Sequence, residues 1–204
     1  MNLGVGASIL LMIGATAAVA SCPVAADLAD GIYVTYDDDS MTRYSGTIGG
    51  EVEEWTRIED GSGDVYVVPT ISGLFATGYI DWPEGKADET TRETVVFDKD
   101  LAQFLPVRAG QIINLNLKRS FVSGGEPDTE RYSVVVGQEK TVELAGCSYI
   151  ALQVTHTFVS GDGVFGLVQE YLPELGIGIY TSYAELGETP DVYQVLEIST
   201  LAPE

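Results

Sequence analysis

The sequence predicts a mainly β protein, one antiparallel sheet system of about a dozen strands with one or two short helices. Three observations carry that expectation. Short runs rich in β-branched and aromatic residues recur along the chain, separated by Asp, Gly, Pro and Ser. In Ile113-Asn114-Leu115-Asn116-Leu117-Lys118 apolar and polar residues alternate strictly, which buries one face of a strand and solvates the other. Helical periodicity, by contrast, is confined to a single short stretch, Lys99 to Leu105.

Taken in order, Pro23-Val24-Ala25-Ala26-Asp27-Leu28 reads as one helical turn closed at Gly31. Ile32 to Tyr36 runs into the turn Asp37-Asp38-Asp39-Ser40, and Met41 to Tyr44 returns as its hairpin partner. Glu51 to Ile58 and Asp64 to Val68 flank a second turn, Glu59-Asp60-Gly61-Ser62-Gly63. Val65 to Ile80 is uncharged, and Pro69, Gly73 and Gly78 are expected to divide it into two strands. Arg92 to Phe97 follows. In Lys99 to Leu105 the side chains of Leu101, Phe104 and Leu105 share a helical face, Asp98 can cap the start and Pro106 ends the run. Further strands are expected at Tyr132 to Val136, Thr141 to Leu144, Ser148 to Phe158, Gly166 to Tyr171, Ile177 to Tyr183 and Val192 to Ile198. The acidic stretches Trp82 to Glu89 and Ser123 to Glu130 read as exposed loops.

The chain of 204 residues is 45% hydrophobic, enough for one domain with a buried core. Its 31 acidic residues against 10 basic ones give a formal charge of −21. That balance excludes a general nucleic-acid binder, which neutralises phosphates with Lys and Arg, and opposes docking on an anionic bilayer. One His and two Cys exclude repeated Cys/His zinc sites, and no cofactor motif is present.

Met1 to Ala20 carries no charged side chain. Its apolar centre, Ile9 to Ile13, is followed by small residues ending Ala18-Val19-Ala20, the pattern of a signal peptide cleaved between Ala20 and Ser21. Residues 1–20 are therefore assigned to export and residues 21–204 to a single β-rich domain in the periplasm or outside the cell. Cys22 admits two explanations. An even number of cysteines in an exported chain favours a Cys22–Cys147 disulfide. Val19-Ala20-Ser21-Cys22 also fits a lipobox, in which Cys22 is acylated and the protein is an outer-membrane lipoprotein; membrane association follows only in that case.

The second half carries a resemblance. Phe104-Leu105-Pro106-Val107-Arg108-Ala109-Gly110, Val134-Val135-Val136-Gly137-Gln138-Glu139, Leu144-Ala145-Gly146-Cys147-Ser148-Tyr149 and Tyr171-Leu172-Pro173-Glu174-Leu175-Gly176 follow one another in order. This order resembles a module of exported bacterial β-rich proteins of unknown function. The resemblance implies a strongly curved antiparallel sheet, similar to the open half-barrel of periplasmic lipoprotein carriers. It implies no activity and transfers no catalytic residue. The same residues have plain structural readings. Gly137 and Gly146 suit tight turns, Pro106 and Pro173 suit the start or edge of a strand, and Tyr171 to Gly176 equally suits a bend at a sheet corner.

Candidate chemistry is sparse. His156, the single histidine, alternates with Ile150, Leu152, Val154 and Phe158 and so lies on an apolar face. No Gly-x-Ser-x-Gly elbow supplies a nucleophile for it. It reads first as a satisfied core histidine and second as a ligand contact. Asp37-Asp38-Asp39 and Asp60-Gly61-Ser62-Gly63-Asp64 have oxygen ligands that suit Ca²⁺ but not the EF-hand spacing, so no metal site is assigned. Glu139, Glu143 and Glu170 are the carboxylates to inspect for hydrolysis. The aromatics, Trp82 and Tyr171 among them, suit the mouth of a cavity or ordinary cross-strand pairing. The reading that results is an exported, non-enzymatic binding or envelope-associated protein whose curved sheet holds an apolar small molecule or a partner. A carboxylate-dependent hydrolase and a structural envelope component without a small ligand are the alternatives.

Overall fold

The structure, a computed structural model, describes residues 21–58, 64–161 and 163–203. The proposed signal peptide and its cleavage site at Ala20 lie outside these residues, as do Asp60 to Gly63 of the second acidic turn.

The described residues form fourteen strands: β1 (Ile32–Tyr36), β2 (Met41–Gly46), β3 (Glu51–Arg57), β4 (Val65–Ile71), β5 (Phe75–Ala76), β6 (Gly78–Asp81), β7 (Glu93–Phe97), β8 (Ile112–Phe121), β9 (Asp128–Leu144), β10 (Cys147–Val159), β11 (Val164–Leu172), β12 (Ile177–Glu185), β13 (Asp191–Val192) and β14 (Val195–Ser199). They make one antiparallel sheet in the order β13-β12-β11-β10-β9-β8-β7-β6-β4-β3-β2-β1-β14, with β5 paired to β4. The sheet does not close into a barrel. Its two end strands are nevertheless consecutive in the chain, joined by Tyr193 and Gln194. Asp37 holds that joint, accepting from the Gln194 N–H on its side chain at 2.8 Å and donating its own N–H to the Gln194 carbonyl at 3.0 Å.

Irregular pairing occurs at Thr35/Tyr36, at Leu152/Val154 and at Val168/Gln169. Such bulges bend a strand and increase its twist, and here the sheet wraps round on itself. The Tyr44 hydroxyl on β2 donates to the Gly178 carbonyl on β12 at 3.0 Å, across the interior. Gly73, in the β4–β5 turn, and Gly178 pack together so closely that a Cβ on Gly178 would come within 2.6 Å of the Gly73 carbonyl oxygen. Two apolar clusters fill the ends. One gathers Ile32, Val34, Tyr44, Leu172, Leu175 and Ile177; the other Phe75, Ile113, Leu115, Val134, Val154 and Tyr171. Residues 22–28 are docked on the first, where Leu28 is buried, Tyr149 donates to the Pro23 carbonyl at 3.1 Å, and Cys22 is disulfide-bonded to Cys147.

The alternation in β8 sets its faces as expected, with Ile113, Leu115 and Leu117 buried and Asn114, Asn116 and Lys118 exposed. Several expectations need correction. In place of helices the described residues contain only 3-10 turns, Ala25–Ala29, Pro83–Gly85 and Leu101–Phe104. At the last, Asp100 caps the turn by accepting from the Ala102 N–H at 2.9 Å. Asp98 instead accepts from the Asn116 backbone at 2.9 Å, because a stretch ended by Pro106 is too short to propagate a helix. Pro69 does not end its strand. Its carbonyl accepts from the Thr77 N–H at 2.7 Å in the gap between β5 and β6, where a missing donor interrupts no ladder. Gly137 is not a turn: Tyr132 to Val136 and Thr141 to Leu144 belong to the single strand β9, and the irregularity opposite Leu152–Val154 absorbs the glycine. Of the two readings of Tyr171 to Gly176, a strand edge or a bend at a sheet corner, the bend holds: Pro173 lies in the β11–β12 hairpin turn, where the Leu172 carbonyl accepts from Leu175 and Gly176. Ser123 to Glu130 is not wholly an exposed loop, because β9 begins at Asp128 and Glu130 is buried.

Candidate functional site

Period-2 alternation sends one row of side chains from each strand into the interior. On β3 that row is Val52, Glu54 and Thr56; on β10 it includes Val154, His156 and Phe158. Where the sheet turns on itself these rows leave two adjoining cavities, of about 380 Å³ and about 210 Å³. Val68, Leu167 and Tyr180 belong to the walls of both.

The larger cavity is lined by aromatic rings and hydroxyls, chiefly Tyr36, Thr42, Thr56, Tyr66, Tyr180 and Tyr193. The Thr42 and Thr56 hydroxyls lie 2.9 Å apart, and those of Tyr36 and Tyr44 lie 3.4 Å apart. Beneath this wall Glu54 is 1% exposed. It accepts from the Tyr180 hydroxyl on Oε2 at 3.0 Å, while Oε1 has no hydrogen-bond partner. Burial pushes the Glu54 carboxyl up to about 8, against the Tyr180 and Thr70 side chains that favour its charged form. Burial likewise pushes Tyr36, Tyr44 and Tyr180 above the usual phenol range. The wall is polar in its hydroxyls, and Asp38 adds a carboxylate to its lining.

The smaller cavity is apolar on most sides, with Phe97, Phe158, Phe165 and Leu167 among its lining residues. Tyr132 stacks on Phe158 at 4.6 Å and Phe158 on Phe165 at 4.5 Å, a lane of rings across β9, β10 and β11. His156 and Gln169 also line it, only 1% and 2% exposed. The His156 Nδ1 lies 2.6 Å from the Tyr132 hydroxyl. Burial holds the imidazole down to about 4, with Gln169 acting in the opposite direction. At the edge of this cavity Arg119 forms ion pairs with Glu93 and with Glu130, the latter at 2.8 Å.

Of the residues singled out from the sequence, His156 lines a cavity. Tyr171 is buried in the second apolar cluster and Trp82 packs edge-on against Trp55 at 4.9 Å, and neither lines these two cavities. Glu139 and Glu143 lie at exposed positions of β9, and Glu170 pairs with Lys140 at 2.8 Å. These three carboxylates do not converge on either cavity. In the first acidic turn Asp38 accepts from the Ser40 backbone and hydroxyl at 3.0 and 2.6 Å, and Asp37 holds Gln194. Among the described residues no three His, Cys, Asp or Glu side chains gather as metal ligands would. Sequence reading missed Glu54, Tyr180 and Gln169. The signal for Glu54 was present, since it shares the inward parity of Val52 and Thr56.

No protein-family model and no curated protein matches the chain. Among solved structures, the chain is similar to the hypothetical lipoprotein YmcC from Escherichia coli (K12), with TM-score 0.43 and 11% identity over 75% of this chain and 77% of that one.

Proposed function

We propose that this is an exported, non-enzymatic binding protein that holds a small, uncharged, largely apolar molecule inside its wrapped sheet. The pair of adjoining cavities, walled mainly by aromatic rings, apolar side chains and hydroxyls, with Asp38, Glu93 and Arg119 as the charged lining residues, carries the reading. Concave, mostly apolar chambers with a few fixed polar groups are the usual form of a small-molecule site. A formal charge of −21 disfavours an acidic ligand. The Cys22–Cys147 disulfide supports a periplasmic or secreted location, because such bonds persist in oxidising compartments. An envelope protein is the alternative partner, and nucleic acid is not proposed.

The test uses the neutral fluorescent probe N-phenyl-1-naphthylamine. Saturable binding with one-to-one stoichiometry is expected, and Leu167→Trp, placed in the wall common to both cavities, is expected to abolish it while circular dichroism keeps the β spectrum. Absence of saturable binding to the native protein overturns the proposal.

A further inference from the structure

The larger cavity is a tyrosine chamber in a strongly acidic protein. Tyr36, Tyr66, Tyr180, Tyr183 and Tyr193 line it, brought together from β1, β4, β12 and the joint between β13 and β14. Tyr36 and Tyr193 stand at 72° to one another with ring centroids 6.3 Å apart, so two ring walls meet in a corner. Asp38 also lines the cavity, and no Lys, Arg or His is among its described lining residues. The Asp38 Oδ1 is fixed by the Ser40 N–H and hydroxyl at 3.0 and 2.6 Å, and Ser40 is itself a buried part of the wall. Burial raises the Tyr66 and Tyr193 phenols, and the charge of Asp38 adds to the rise in both. The field of that carboxylate therefore reaches rings on β4 and at the β13–β14 joint.

Neutral phenol rings present a negative face, and a cation against such faces gains most where water is excluded. A formal charge of −21 attracts cations to the protein and repels anions. The hydroxyls decide which cation fits. Those of Thr42 and Thr56 meet each other, Tyr36 meets Tyr44, and Tyr180 and Tyr183 donate to Glu54 and Glu185. A primary ammonium brings three N–H donors, each needing an acceptor, whereas a fully methylated one needs only ring faces and a negative field. Val68 and Leu167 in the wall offer apolar contacts to its methyl groups. We infer that the larger cavity is a seat for a trimethylammonium group, held against its tyrosine rings and neutralised by Asp38. The inference goes beyond the neutral ligand proposed above, for which the smaller, phenyl-lined cavity remains.

The experiment titrates the oxidised protein by calorimetry with choline and with two compounds that each lack one of its properties. Ethanolamine has the same charge and hydroxyl without the methyl groups. The alcohol 3,3-dimethyl-1-butanol has the same shape without the charge. Choline is expected to bind about tenfold or more tighter than either. Tyr193→Leu is expected to lose that preference, and Tyr193→Phe, which keeps the ring, to retain it. Asp38→Asn preserves an acceptor for Ser40 and is expected to weaken choline several-fold while leaving the alcohol unchanged. Equal affinity for choline and ethanolamine would reduce the effect to diffuse attraction by an acidic surface and overturn the seat. Equal affinity for choline and the alcohol, or no saturable choline binding, also overturns it. If the naphthylamine probe still binds in these cases, only the ammonium seat has failed. If the probe fails as well, the binding function has failed with it.

Discussion

The Tyr180 hydroxyl donates to Glu54 Oε2 at 3.0 Å between residues 126 positions apart, tying β12 to β3 across the interior. The bond joins two strands that the sheet order keeps far apart, and it places a carboxyl where water does not reach. Neutral, that carboxyl is an uncharged hydrogen-bonding group behind the cavity wall; ionised, it is a buried anion held by a phenol hydroxyl.

This relationship sets a pH dependence. Glu54 titrates at about 8 in the folded chain against an ordinary 4.5. Between those values the folded state holds a proton that the unfolded state has released. Stability from this group is complete below about pH 4.5 and is lost as pH rises through 8. Glu54→Gln keeps an uncharged amide and removes the titration. Urea unfolding at about pH 5 and pH 8.5 is expected to show the variant gaining on the native protein at the higher pH. A difference that does not change with pH would count against a neutral Glu54.

His156 has the opposite sign. Its folded value of about 4 lies below the ordinary 6.5, so its contribution is present above 6.5 and is lost as pH falls through 4. In ¹⁵N-histidine-labelled protein the single imidazole is expected to stay in its neutral form across pH 5–7. Titration with a midpoint near 6.5 would show the ring to be open to solvent.

Arg119 holds two carboxylates, half-buried Glu93 and buried Glu130. Removing the cation strands both, whereas removing one carboxylate leaves a pair. Arg119→Met is expected to cost about 3–5 kcal/mol in denaturant unfolding, and more than Glu93→Gln. Equal losses would show that the guanidinium is not the centre of the cluster.

Gly178 leaves no room for a side chain. Besides the Gly73 carbonyl, a Cβ there would come within 2.9 Å of the Gln169 side chain. Gly178→Ala is expected to destabilise by about 1–3 kcal/mol through overpacking and to weaken naphthylamine binding, since β12 must move away from the β4–β5 turn. An unfolding midpoint equal to that of the native protein would show the contact to be loose.

The disulfide closes a loop across a separation of 125 residues, worth up to about 5 kcal/mol in the chain-entropy description. A sulfur in that bond cannot also carry an acyl thioether. Intact mass of the protein from its native envelope is expected to begin at Ser21, with both thiols blocked to alkylation until reduction. Cys147→Ser is expected to lower stability by about 2–5 kcal/mol. A mass beginning at an acylated Cys22 would replace the staple with a lipid anchor.

Sequence by itself determined the β class, most strand positions and the inward face of β8. These are local properties: alternation and turn chemistry act over a few residues. It also gave the two cysteines as partners and His156 as an inward side chain. Where tertiary pairing overrides a local signal, the reading failed. Gly137 looks like a turn, yet β9 passes through it because β10 offers a continuous partner that accommodates the extra residue. Lys99 to Leu105 has helical spacing, but one turn has too few hydrogen bonds to persist as a helix. The cavities, the meeting of Glu54 with Tyr180 and the burial of His156 beside Gln169 were decided by tertiary structure alone. Each depends on which inward faces confront one another, and bulges, close glycine packing and long-range strand order set that curvature.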